Sequence, residues 1–220
     1  MVVWFLNEKY SICRHALQPR LFARTGTIDH VGTNLVVKVN QQSRPIFTNQ
    51  FLPSIRMVAS WSGGHMYLNY EGELAVVIGK LTRNILLEDA WDYIAGFTVA
   101  NDAGLQDMRD TDAGSMVRVK GADTLCPVGP GIVSGVDVRD STLRTYRNGK
   151  IVQEAVIGQD MWFGIDYLVT DLARHITLVP GDLVLTGTPA NSRAVDPGDI
   201  IEVEITGIGR LRNEVIEGEV

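Results

Sequence analysis

The sequence predicts an α+β fold in which strands dominate, and three observations carry that reading. Residues 74–78 (Leu-Ala-Val-Val-Ile) are apolar at every position and β-branched at three, the pattern of a strand buried on both faces. The pair Asn148-Gly149 separates two short β-type runs, residues 143–146 and 151–154, and marks a tight hairpin. Ile201, Val203 and Ile205 alternate with Glu202 and Glu204, which reads as a strand with one wet face. The 220 residues, 45% hydrophobic and 21% charged, are those of an ordinary globular chain with a substantial core. A net charge of −6 weighs against nucleic acid or an anionic membrane as the main partner. No segment is long and apolar enough to span a bilayer, and residues 2–6 are too short and lack the basic lead of a signal peptide. With only Cys13 and Cys126, no disulfide framework is expected, and a reducing cytoplasm is the expected setting.

Taken in order, residues 11–18 fit a short helix, 35–39 (Leu-Val-Val-Lys-Val) a strand, and 41–64 show no clear period and are read as irregular. Residues 1–66 are set apart as an N-terminal segment and 67–220 as the catalytic body. A helix is predicted over 87–95, with Leu87, Ala90, Trp91 and Ile94 at helical spacing and Gly96 as its stop. Residues 97–100 form a second core strand, so the pair of strands with a helix between them reads as a crossover unit. A longer helix is predicted over 161–175, with Trp162, Ile165, Leu168, Val169, Leu172 and Ile176 as its buried stripe. His175 at its end suits the helix dipole. Two Pro-Gly-Asp turns, at 180–182 and 197–199, introduce the strands at 183–186 and 201–205. Between them, residues 187–193 form a loop of small polar residues.

The chemistry concentrates at the mouth of the first core strand. Glu71 and Glu73, two residues apart, share a face if the strand extends through them. An acidic pair at a strand end is often a solvated edge, but here it abuts a fully apolar run, where adjacent negative charges call for a cation. Asp102, at the end of the second core strand, supplies a third carboxylate. Glu71, Glu73 and Asp102, with no Cys or His among them, make a hard all-oxygen set suited to Mg²⁺ or Mn²⁺ and poorly suited to Zn²⁺. Gln106 and Arg109 are three apart and would share one face of a helical turn, aimed at an anionic ligand; Asp107, Asp110 and Asp112 around them would equally suit a surface turn. Lys120, before Gly121, is either a solvated turn residue or, beside the three acids, a group for proton transfer or enolate stabilisation. Cys126, between Leu125 and Pro127, reads as core.

The order of these segments resembles the fumarylacetoacetate hydrolase family: Tyr-Glu-Gly-Glu-Leu from Tyr70, Val-Ala-Asn-Asp from Val99, Lys-Gly-x-Asp-Thr from Lys120, Leu-Thr-Gly-Thr-Pro from Leu185, and Pro-Gly-Asp from Pro197. The resemblance covers about residues 67–217. It is nearest to the branch of 2-hydroxyhepta-2,4-diene-1,7-dioate isomerases and 5-oxopent-3-ene-1,2,5-tricarboxylate decarboxylases. It implies a mixed β-sandwich roll, a homodimer and a divalent metal. It also implies Glu71, Glu73 and Asp102 as metal ligands, Lys120 as the active-site lysine, and Gly187 and Thr188 at the substrate carboxylate. Two departures stand out. Where the family places Arg four and Gln seven positions after the metal aspartate, this chain has Gln106 and Arg109 in exchanged order. Hydrolytic members carry a His and a Glu three apart on a lid helix, and here only His15 with Gln18 has that spacing.

The expected activity is therefore a metal-dependent isomerase or decarboxylase of a 2-oxo or 2-hydroxydienoate dicarboxylic acid in aromatic-compound catabolism. The acid's carboxylate and C2 oxygen would bind the metal, which would stabilise the enolate. Arg109 or Arg193 would meet a second carboxylate. Three alternatives stand beside it: an acylpyruvate-type C–C hydrolase with His15 near the water, an oxaloacetate decarboxylase, and a catalytically silent partner subunit.

Overall fold

The structure is a computed structural model that describes residues 3–4, 55–58, 60–61, 64–65, 67–112, 115–122 and 124–217. The helix expected at 11–18, the strand at 35–39 and His15 lie outside the described residues. Among the described residues, ten strands build two five-stranded sheets: β1 (Val3–Trp4), β2 (Ile55–Val58), β3 (Gly72–Ile78), β4 (Ile94–Asn101), β5 (Val128–Val133), β6 (Thr142–Arg147), β7 (Lys150–Val156), β8 (Leu183–Leu185), β9 (Ile200–Ile205) and β10 (Gly209–Ile216). The first sheet runs β1-β8-β3-β4-β5 and the second β7-β6-β9-β10-β2. All neighbours are antiparallel except β10 and β2, which run parallel. The predicted class, α+β with strands dominant in a mixed β-sandwich roll, is the one observed. No described helix is long and apolar enough to cross a membrane.

The two sheets close on one apolar layer. Leu74, Val76, Ile78, Phe97 and Val99 from the first meet Leu143, Val203, Ile205 and Leu211 from the second, all buried. Each such side chain contributes about 1.5–3 kcal/mol by leaving water. Because side chains alternate along β3, the residues between them face the other way. Ala75 packs outside the sandwich with Ala100, Cys126 and Leu185. Cys126 is buried there, as expected of a core residue. The hairpin at Asn148-Gly149 is also as predicted, with both residues at positive φ (53° and 76°) between β6 and β7. On β9 the apolar positions are buried in strict alternation.

Several local expectations are corrected. Residues 41–64 are not wholly irregular, since they contain β2 and the short pair Ser60–Trp61 with Gly64–His65. The helix expected over 87–95 is a 3₁₀ segment, Leu87–Tyr93, in which only Ala90 is buried. Gly96 does not stop it; it lies within β4, opposite Val77. A Cβ there would stand 2.5 Å from the carbonyl oxygen of Val133, so the glycine is required by the approach of β5. The second helix begins at Ile165, not 161, after a short turn of helix at Ile157–Asp160. Trp162 precedes that start and is 96% exposed, while Ile165, Leu168 and Val169 form the buried stripe as predicted.

The largest correction concerns the core strands. β3 and β4 are not a parallel crossover but an antiparallel pair, Gly72 opposite Asn101 and Ile78 opposite Ile94. The connection between them, residues 79–93, holds only that 3₁₀ segment and returns the chain alongside β3 as an antiparallel neighbour.

Gly72 faces the second sheet at close range. A Cβ at Gly72 would lie 2.2 Å from the Thr145 hydroxyl oxygen and 3.0 Å from Val203. Gly72→Ala is therefore expected to cost about 1–3 kcal/mol by overpacking, read as a fall of several degrees in the thermal midpoint. An unchanged midpoint would show that the sheets can part there freely.

Candidate metal centre

The register Gly72↔Asn101 places the start of β3 beside the end of β4, and with them the three predicted acids. Glu71 stands just before β3, Glu73 within it, and Asp102 just after β4. The backbone is cross-linked at this corner. The Asp102 N–H donates to the Glu71 carbonyl at 2.8 Å, and the Glu71 N–H donates to the Asn101 side-chain oxygen at 2.8 Å. Glu71, Glu73 and Asp102 each offer a carboxylate oxygen, and these lie within 4.8 Å of one another. Glu73 is 5% and Asp102 1% exposed, and Glu71 is half-buried.

Lys120 enters this cluster from α1 (Val117–Lys120), a single turn of helix. Its Nζ lies 2.6 Å from Glu71 Oε2 and 3.1 Å from Asp102 Oδ2, and donates to the Asp102 carbonyl at 2.5 Å. The lysine is 5% exposed, so the reading of a solvated turn residue is set aside. Asp112, expected as a surface charge, is buried and accepts the N–H groups of Arg118 (2.7 Å) and Val119 (3.3 Å), which pins the turn that delivers Lys120. Gly104 leaves the room, since a Cβ there would lie 3.2 Å from Lys120 Nζ.

Burial pushes the Glu73 carboxyl up to about 8, and the neighbouring Asp102 carboxylate pushes in the same direction. Burial alone would lower the pKa of Lys120, but the carboxylates of Asp102 and Glu71 outweigh it and hold the ammonium above its ordinary value. Three carboxylates facing this one ammonium leave the cluster net negative when all are ionised. The donor set is all oxygen, the charge calls for a cation, and the oxygens converge. The residues present fit a hard divalent ion.

The substrate-side candidates separate. The Gly187 N–H donates to Glu73 Oε2 at 2.7 Å, so the loop after β8 touches the acid cluster directly. Thr188 is next in that loop, half-buried. Gln106 opens a short 3₁₀ turn, Gln106–Met108, and its Nε2 lies 3.4 Å from Glu71 Oε1. Arg109 caps the same turn and is exposed, as is Arg193, whose guanidinium donates to the Ser192 carbonyl. The Thr188 loop also lines an open cleft of about 690 Å³ with Trp162, Phe163 and Tyr167.

A buried amide beside the site completes the set. Gln153 of β7 is 2% exposed and bonds both Gly72 and the Thr188 loop. A glutamine at an inward position of a half-buried strand was the available signal.

A model of the Fumarylacetoacetate (FAA) hydrolase C-terminal family matches residues 36–216. The 4-hydroxyphenylacetate degradation bifunctional isomerase/decarboxylase of Salmonella dublin is 42% identical over 153 residues, 68% of this chain and 35% of that one. The chain thus spans about a third of that relative's length. Among solved structures, a 2-hydroxyhepta-2,4-diene-1,7-dioate isomerase from Mycobacterium marinum is 39% identical, with a TM-score of 0.66 over 76% of this chain and 64% of that one. A fumarylpyruvate hydrolase from Pseudomonas aeruginosa, in complex with Mn²⁺ and pyruvate, is 30% identical, with a TM-score of 0.66 over 74% of this chain and 71% of that one. Motif order, sandwich and family match agree, and the chain belongs to the fumarylacetoacetate hydrolase family.

Proposed function

We propose that the protein is a divalent-metal-dependent isomerase or decarboxylase of a 2-oxo or 2-hydroxydienoate dicarboxylic acid from aromatic-compound breakdown. The observation that carries this is the buried cluster in which Glu71, Glu73 and Asp102 converge, with Lys120 inserted among them. Glu71, Glu73 and Asp102 would hold Mg²⁺ or Mn²⁺, which when bound supplies a Lewis acid for the carboxylate and C2 oxygen of the acid and for enolate charge. The names of the Salmonella dublin and Mycobacterium marinum proteins support the reaction class. The Mn²⁺ and pyruvate in the Pseudomonas aeruginosa hydrolase support the metal and the oxo-acid head group.

The chain's own residues then divide the work. Lys120 carries its proton, because two carboxylates hold it, so it acts as a cation or proton donor toward the enolate and not as the initial base. Thr188 supplies a hydroxyl for the substrate carboxylate, and Gln106 orients Glu71. Hydrolysis of an acylpyruvate is the second reading, favoured by the Pseudomonas aeruginosa relative. It needs an activated water, and the family's His–Glu spacing is here His15 with the neutral amide of Gln18.

A panel of 2-oxo and 2-hydroxydienoate acids with added Mg²⁺ or Mn²⁺, followed by enol absorbance and product release, tests the assignment. Tautomerisation or decarboxylation should outrun hydrolysis; efficient conversion of acetylpyruvate to acetate and pyruvate with little of either would overturn it. Lys120→Ala should lower turnover by roughly 10²–10⁴, and a rate within a few-fold of wild type would leave Lys120 only an electrostatic partner of the acids.

The raised carboxyl of Glu73 gives a prediction that needs no substrate. In the folded metal-free protein Glu73 keeps its proton to about pH 8, whereas in the unfolded chain it loses it in the ordinary range near 4.5. The folded state therefore binds more protons, so this contribution is full below the ordinary range and is lost as pH rises through about 8. With chelator present, the thermal midpoint should fall over that window, Glu73→Gln should flatten the fall, and Mn²⁺ should raise the midpoint most at the alkaline end. A wild-type profile identical to that of Glu73→Gln, insensitive to Mn²⁺, would remove the metal centre.

A further inference from the structure

Gln153 reaches from the edge strand of the second sheet to the residues around the metal centre. It lies on β7, buried, with its amide spanning two elements of the site. Its Oε1 accepts the N–H of Gly72 at 3.4 Å, the residue between Glu71 and Glu73. Its Nε2 donates to Thr188 Oγ1 at 3.0 Å, to the Pro189 carbonyl at 2.7 Å and to the Ala190 carbonyl at 3.4 Å. The amide's orientation follows from its partners. Two carbonyls can only accept and a backbone N–H can only donate, so the nitrogen must face the loop and the oxygen Gly72.

This arrangement fixes the polarity of Thr188. The hydroxyl oxygen receives a hydrogen bond from Gln153, so the hydroxyl hydrogen is turned away from Gln153 and is available as a donor. A threonine meant to hold a carboxylate needs that state, because a carboxylate only accepts. The same amide holds the two loop carbonyls that follow, and the loop's Gly187 N–H is bonded to Glu73. We infer that Gln153 is a positioning residue that sets Thr188 as a hydrogen-bond donor and holds the Gly187–Ala190 loop at the metal centre for the substrate carboxylate. This rests on the metal-dependent oxo-acid reading above and adds to it the residue that governs how the carboxylate is received.

Two substitutions separate the parts of the bridge. Gln153→Met keeps the length and removes every hydrogen bond. Gln153→Glu keeps the volume and the acceptor for Gly72 but replaces the donor amide with a carboxylate, which would capture the Thr188 hydrogen and repel the Pro189 and Ala190 carbonyls. The probes are Mn²⁺ alone and oxalate, a small dianion that chelates a metal as an enolpyruvate would. Titrations well below the thermal midpoint should show Mn²⁺ affinity within a few-fold of wild type in both variants. Oxalate affinity in the presence of Mn²⁺ should fall on the order of 10- to 100-fold. Thr188→Val should reproduce most of that loss, and the double variant Gln153→Glu/Thr188→Val should lose clearly less than the sum of the two single losses, because the hydroxyl that the introduced carboxylate would misdirect is already gone. If Gln153→Met does not fold, Gln153→Glu decides the matter. Oxalate binding at wild-type strength in a folded Gln153→Glu protein would overturn the inference, as would a loss of Mn²⁺ affinity equal to the loss of oxalate affinity. Additive losses in the double variant would overturn the polarity argument. A wild-type protein that binds neither Mn²⁺ nor oxalate would instead overturn the metal reading, and this inference with it.

Discussion

The antiparallel register of β3 and β4 is the constraint on which the rest of the site depends. Setting Gly72 opposite Asn101 brings the mouth of one strand beside the end of the other, so acids separated by 29 positions become neighbours. A parallel pair would send them to opposite edges of the sheet. The same pairing buries them, since both strands run through the centre of a five-stranded sheet. Burial then makes the carboxylates mutually expensive. Glu73 answers by holding its proton to about pH 8, and Glu71 and Asp102 by taking up the Lys120 ammonium.

That expense is a resource for function. A cluster that is uncomfortable without a cation favours one only if the surrounding backbone cannot relax. Here it cannot relax easily. Asn101, Asp102 and Glu71 are tied to one another, Gly187 is tied to Glu73, and Asp112 pins the single helical turn that brings Lys120. Gly72 allows the second sheet to approach closely enough for Gln153 to reach across. Small and neutral residues thus position the charged ones, which is how a site on strands and tight turns keeps its geometry.

The division between the two faces of β3 explains why one strand serves both core and chemistry. Leu74, Val76 and Ile78 face the sandwich interior, while Glu73 points with Ala75 to the other face, among Ala100, Cys126 and Leu185. To a reader of the sequence this strand is simply apolar throughout, because both of its faces are covered. The acids are legible only because they interrupt the run at its mouth.

Much was determined by the sequence alone. The strand class follows from local patterns: the apolar run at 74–78, the Asn148-Gly149 turn and the alternation at 201–205 are each set by residues within a few positions of one another. That Glu71, Glu73, Asp102 and Lys120 belong to one cluster is also legible, through their motif context. What the sequence could not supply was direction and distance. Whether β3 and β4 run parallel or antiparallel is decided by how the whole sheet assembles, including the β5 backbone that packs against Gly96, not by the strands' own residues. Helical spacing continues through Trp162, yet the helix begins only at Ile165 and leaves Trp162 in solvent. The role of Gln153 is not legible in its neighbours in sequence, because its partners, Gly72 and the loop after β8, lie 81 and 35 positions away. Only tertiary packing brings those groups together, and only there does a neutral amide acquire a role.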